Sequence, residues 1–187
     1  MIGAILKNRS AAVRLTVKGA IAVLLVCMAV ALPQIAHAAG GAQAGSIWLP
    51  MYAPALLAGC LLGWQWGLGV GLLSPLVSFG FTSLFLDSAM PAAGRLPYMM
   101  AELAVFGLVS GLFAKKTEKN ALFAFPAVIA AQVAGRLVYF TAAVIFGQQP
   151  AAVWGVIESG LTGLYIQAAI VPLIVILLSL AVKHERD

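Results

Sequence analysis

The chain has 187 residues, of which 63% are hydrophobic and only 9% charged, with a mean hydropathy of +1.03. Charged residues make up about a quarter of an average soluble domain, so this composition excludes one and indicates an integral membrane protein built from helices in a lipid bilayer. The net charge of +5 is carried by short clusters that flank apolar runs, which ties it to membrane topology and gives no reason to expect nucleic acid as a partner.

Residues 1–18 hold Lys7, Arg9, Arg14 and Lys18, and an apolar run follows. From Gly19 to Leu86 there is no Asp, Glu, Lys or Arg. A transmembrane helix needs roughly 20 mostly apolar residues, which places a first helix at about 17–35. The basic start, apolar middle and Ala36-His37-Ala38 also fit a secretory signal with its cleavage site. An uncleaved first helix is the favoured reading, because apolar segments continue through the whole chain. Residues 33–46 are rich in Gly and Ala and read as a loop.

The Gly-Trp-Gln-Trp-Gly stretch at 63–67 divides the next apolar run. The expected helices are a short one at about 51–62 and a longer one at about 67–86. A loop containing Asp87 and Arg95 leads to a fourth helix at about 97–114, which ends at Lys115 and Lys116. A polar turn with Lys119 precedes a fifth helix at about 121–146. After Gln148-Gln149-Pro150 a sixth runs over about 153–182. The whole chain is thus read as one compact all-α bundle of six transmembrane helices.

Threading six helices with the N-terminus in the cytoplasm puts Lys7, Arg9, Arg14, Lys18, Lys115, Lys116, Lys119, Lys183 and Arg186 inside. Only Arg95 falls in an outer loop, and Arg136 lies within a helix. This is the bias that the positive-inside rule describes, so both termini are expected to be cytoplasmic.

Three ionisable residues fall inside expected helices: Glu102, Arg136 and Glu158. Each costs about 2.5–3.5 kcal/mol at a helix centre on insertion scales, so each needs a reason. At a rise of about 1.5 Å per residue and a core of about 30 Å, all three lie about 7–8 Å below the outer surface. Gln132 and Tyr139 share a helical face with Arg136. Two readings fit this cluster: a substrate pocket open to the outside, or an internal Glu–Arg pair that fixes helix packing. Trp48, Tyr52, Tyr98 and Trp154 collect at the same end. Such aromatics mark any membrane interface, and Trp48 and Tyr52 are also candidates for stacking on a ligand.

Gly59, Gly63, Gly67 and Gly71 recur every four positions, as do Gly107 and Gly111. Small-xxx-small stripes allow close helix approach, and internal packing is the favoured role. No phosphate-binding loop and no hydrolase or zinc-protease signature is present. The chain is therefore not expected to be an enzyme, to hydrolyse ATP, or to carry a cofactor or metal. Cys27 and Cys60 lie in apolar stretches and read as small hydrophobes.

The stretch from Trp48 to Lys116, above all Pro97, Met100, Glu102, Leu103, Gly107 and Gly111, resembles the substrate-binding S components of energy-coupling factor vitamin transporters. The resemblance implies six helices and a high-affinity site for a vitamin or related small molecule near the outer face of a bacterial cytoplasmic membrane. It also implies three partners: a transmembrane coupling subunit and two cytoplasmic ATPases. Glu102, Arg136, Glu158, Gln132, Tyr139, Trp48, Tyr52, Arg95 and Tyr98 are the candidate site residues. Many members dock through an Ala-xxx-Ala stripe on the first helix. This sequence departs from it, offering Gly19, Ala20 and Ala22 at the matching position. Pantothenate, thiamine precursors, folate and riboflavin are the substrates the family suggests, with pantothenate or another small vitamin preferred. The alternatives are a standalone small-solute carrier or channel, or a non-transporting membrane scaffold.

Overall fold

The computed structural model describes residues 10–86 and 90–184. Of the residues used above, Lys7, Arg9, Asp87 and Arg186 lie outside them. The described residues are almost wholly helical and contain no strand. The α-helices are α1 (Ala11–Trp48), α2 (Tyr52–Leu62), α3 (Trp64–Phe85), α4 (Leu96–Leu112), α5 (Ala114–Lys119), α6 (Ala124–Ile145), α7 (Pro150–Ser159) and α8 (Leu161–His184). Short 3-10 turns at Ala93–Arg95 and Ala121–Phe123 lead into α4 and α6.

Among the described residues four segments are long and apolar enough to cross a membrane: Ala11–Gly41, Trp64–Phe85, Ala121–Ile145 and Leu161–Val182. The other two expected spans are shorter. α4 has 17 residues and α2 only 11, so α2 is about 16 Å long. The outward faces carry Leu15, Val23, Ile35, Leu84, Phe85, Leu137, Ile145, Leu177 and Leu180, all exposed. That much exposed apolar surface suits contact with lipid rather than water.

α1 corrects the first expected boundary. Residues 33–46 do not form a loop. The helix passes through Pro33 and runs to Trp48, bending at Gly41, where the backbone leaves helical geometry at φ 70° and ψ −172°. Alanines at 36, 38 and 39 favour helix, and lipid offers an unpaired backbone no partner. Leu49 then closes the helix in a left-handed conformation, its N–H donating to the Gly45 carbonyl.

The break between α2 and α3 is a single residue, Gly63, at φ 99°. The Trp64-Gln65-Trp66 segment is already helical, so the expected start at 67 moves three residues earlier. The expected sixth helix divides in two at Gly160.

α4 is the central element and packs against α2, α3 and α6. The glycine stripes make this possible. A Cβ on Gly67 or Gly107 would collide with the other's backbone carbonyl, and one on Gly71 with the backbone of Leu103. Gly111 lies equally close to the backbone of Trp64. The core between these helices is filled by Leu56, Leu103, Phe106, Val128, Val171 and Val175.

Candidate functional site

Glu102 sits on the central helix and is fully buried. Its Oε1 pairs with Arg136 Nη1 of α6 at 3.1 Å. Its Oε2 accepts a 2.6 Å hydrogen bond from the Tyr52 hydroxyl of α2. The guanidinium carbon lies 5.3 Å from the Tyr52 ring centre and 5.7 Å from that of Tyr139, within reach of a cation–π attraction. Tyr52 is held edge-on to Phe106 and Tyr139 edge-on to Tyr98. Three helices therefore meet at one charge pair, and aromatic rings fix its orientation.

A cavity of about 220 Å³ opens on this cluster at the end of the bundle that holds Arg95. Arg136, Tyr52 and Tyr139 line it, with Arg95, His37 and Met99. The wall at Met90–Ala92 is held to α3 by side chains. Thr82 Oγ1 accepts from the Met90 N–H at 2.8 Å, and Ser78 Oγ donates to the Met90 carbonyl at 3.0 Å. Leu49, Pro50 and Met51 form another part of the wall. This turn is not helical, so its carbonyls need partners. Gln167 of α8 supplies one, its Nε2 donating to the carbonyls of Trp48 at 3.1 Å and Leu49 at 2.8 Å.

Of the nine candidate residues, the structure brings Glu102, Arg136, Tyr52 and Tyr139 together, and places Tyr98 behind Tyr139. Arg95 is exposed on the cavity rim. Gln132 points elsewhere: its Nε2 donates to the Leu164 carbonyl at 2.9 Å and ties α6 to α8. Trp48 turns its indole outward, 52% exposed. Glu158 does not join the cluster. It is exposed on α7, because the break at Gly160 ends the straight helix on which its expected position rested.

The first-helix stripe also divides. Ala22 is buried in the core and Gly19 faces the ring of Trp66 at 3.8 Å from its would-be Cβ, while Ala20 alone is exposed. These three residues do not form one outward docking face.

The cavity has contributors that the sequence reading passed over. His37 was placed in a loop, but it lies on α1 before the Gly41 bend and faces Gly45 beyond it. The bend cannot be read from composition, and it is what folds Gly45 back against His37. Among the described lining residues the ionisable side chains are His37, Arg95 and Arg136, apart from the tyrosines, and none is acidic. The described cavity surface is therefore cationic. Glu158 is exposed and does not line it, and Glu102 is enclosed behind the lining, with Oε1 in the ion pair to Arg136 and Oε2 bonded to Tyr52. Among the described residues no group of three or more His, Cys, Asp or Glu could hold a metal ion.

Comparison of the chain with protein-family models, curated proteins and solved structures found no match.

Proposed function

We propose that the protein is a membrane-embedded binding subunit for a small anionic molecule, of the kind the S components of energy-coupling factor importers provide. One observation carries this reading: a cavity of about 220 Å³ lined by His37, Arg95 and Arg136 with no described acidic group in its wall. A packing ion pair needs no such opening, whereas a ligand carboxylate or phosphate finds the His37 and Arg95 side chains there, beside the positive charge of Arg136. At about 220 Å³ the cavity is smaller than the roughly 300–1,000 Å³ of typical ligand pockets, which suits a small molecule or part of a vitamin-sized one. A carboxylate-bearing vitamin such as pantothenate meets both requirements.

In this reading the chain crosses a bacterial cytoplasmic membrane six times with both termini inside. The shortness of α2 then has a cause. Tyr52, its first residue, is already at the level of Glu102, so the turn at Leu49–Met51 lies below the outer surface and α2 has only the remaining depth to cover. Irregular backbone at such depth is tolerated where it lines a cavity and its polar groups are satisfied. Gln167 donates to the carbonyls of Trp48 and Leu49, and the Tyr52 N–H donates to that of Leu49. With no phosphate-binding loop of its own, the subunit would rely on a transmembrane coupling protein and two cytoplasmic ATPases.

The test is uptake. Liposomes containing this chain alone are expected to bind the ligand without accumulating it, and accumulation is expected only when the coupling subunit and ATPases are co-reconstituted with ATP. Accumulation by the chain alone would identify a standalone carrier instead.

A further inference from the structure

A second opening lies on the flank of the bundle, between α6, α7 and α8. It has a volume of about 670 Å³ and is walled by Ile129, Val133, Leu137, Trp154, Ile157 and Tyr165, among others. This is well inside the range of about 300–1,000 Å³ typical of ligand pockets. Several of these side chains are exposed on the lipid-facing surface, Val133 at 59% and Tyr165 at 71%. Two polar side chains besides Tyr165 and Trp154 contribute to the wall, Gln132 and Arg136. The amide nitrogen of Gln132 is already committed to the Leu164 carbonyl.

Arg136 is not fully committed. Nη1 serves Glu102, but Nε and Nη2 are buried without an acceptor among the described residues. These two nitrogens form the side-on edge of the guanidinium, whose parallel N–H bonds match the two oxygens of a carboxylate. The residue as a whole is 8% exposed. A Cβ on Gly160 would stand 3.0 Å from Nη2, so this edge faces the break between α7 and α8. Ile157, Leu161 and Leu164, on either side of that break, wall the groove. A buried donor pair without acceptors is costly, and the groove beside it is otherwise apolar.

We propose that this groove receives, from the bilayer, a single-chain long-chain carboxylate. The carboxylate pairs with the Nε–Nη2 edge of Arg136 when the Gly160 break yields, and the hydrocarbon chain lies along Val133 and Ile129. From Arg136 to Ile129 is seven residues, about 10 Å of groove. The Tyr52 hydroxyl bound to Glu102 offsets part of the negative charge that a second carboxylate brings to the cluster. Arg136 lines both openings, whereas Val133, Trp154 and Ile157 line the groove and not the outer cavity, so a substitution at Val133 separates this proposal from the outer site.

Trp154 reports on the groove. The full chain with Trp48, Trp64 and Trp66 replaced by Phe is placed in nanodiscs of zwitterionic lipid and titrated with nitroxide-labelled stearic acid or its methyl ester at mildly alkaline pH. Trp154 fluorescence is expected to be quenched saturably by the acid, about tenfold more weakly by the ester, as the loss of a charge-assisted pair implies. Arg136→Lys, which keeps the charge but removes the edge, is expected to bring the acid to the ester's level. Val133→Phe, which fills the groove, is expected to weaken the acid while Glu102 and Arg136 remain. Equal quenching by acid and ester, an acid preference that survives Arg136→Lys, or indifference to Val133→Phe would each overturn the proposal.

Discussion

Tyr52 donates its hydroxyl to Glu102 at 2.6 Å, joining the first residue of α2 to the middle of the most central helix. The bond fixes one carboxylate oxygen and leaves the other for Arg136. Tyr52→Phe removes this donor without changing the ring's edge-on contact with Phe106. A hydrogen bond to a charged group contributes about 1.5–3 kcal/mol. The variant is expected to lose stability in that range, measured by unfolding of the purified protein in detergent, while still folding.

The Glu102–Arg136 pair is asymmetric in its response to mutation. Removing one partner of a buried pair strands the other charge and costs about 3–5 kcal/mol, whereas replacing both by apolar residues is often neutral. Glu102→Leu alone is therefore expected to destabilise strongly. The double variant Glu102→Leu/Arg136→Met is expected to recover most of the loss, and the same unfolding measurement on the wild type, Glu102→Leu, Arg136→Met and the double variant gives the coupling.

The glycine stripe predicts a contrast between neighbouring positions. Gly67→Ala places a Cβ against the backbone carbonyl of Gly107, where nothing can move aside cheaply. Overpacking of this kind costs about 1–3 kcal/mol. Gly69→Ala and Gly80→Ala meet no atom within 4 Å, so they are expected to leave the melting temperature unchanged or raise it slightly.

Gln167 serves the cavity through backbone. Gln167→Leu leaves the Trp48 and Leu49 carbonyls without their side-chain donor, at an expected cost of about 1–3 kcal/mol. Because the effect is local, faster protease cleavage within residues 47–51 is expected before any change at the α3–α4 contact. Mass mapping of the fragments reads this directly.

These relationships differ in how far the sequence announces them. The apolar helices are legible because hydropathy and length are properties of a continuous run. Glu102 and Arg136 are legible because depth along a straight helix is arithmetic. The same arithmetic misplaced Glu158, since it assumed a helix that continues through Gly160. A lone glycine costs a helix only about 1 kcal/mol, so nothing local marked that break. The extension of α1 was hidden for the opposite reason: Pro33 and the Gly/Ala-rich stretch read as breakers, yet the chain stays helical to Gly41. Gln167 capping the α1 turn joins residues 118 and 119 positions apart, a contact that no local pattern encodes.

Mass spectrometry of small molecules that copurify with wild type and with Glu102→Leu/Arg136→Met most directly tests whether the charge cluster serves a binding site. The account predicts that wild type carries an anionic small molecule and that the double variant, though folded, carries none. Retention of the same molecule by the double variant, or a wild-type protein that copurifies with none and binds neither pantothenate nor another carboxylate vitamin, would contradict it.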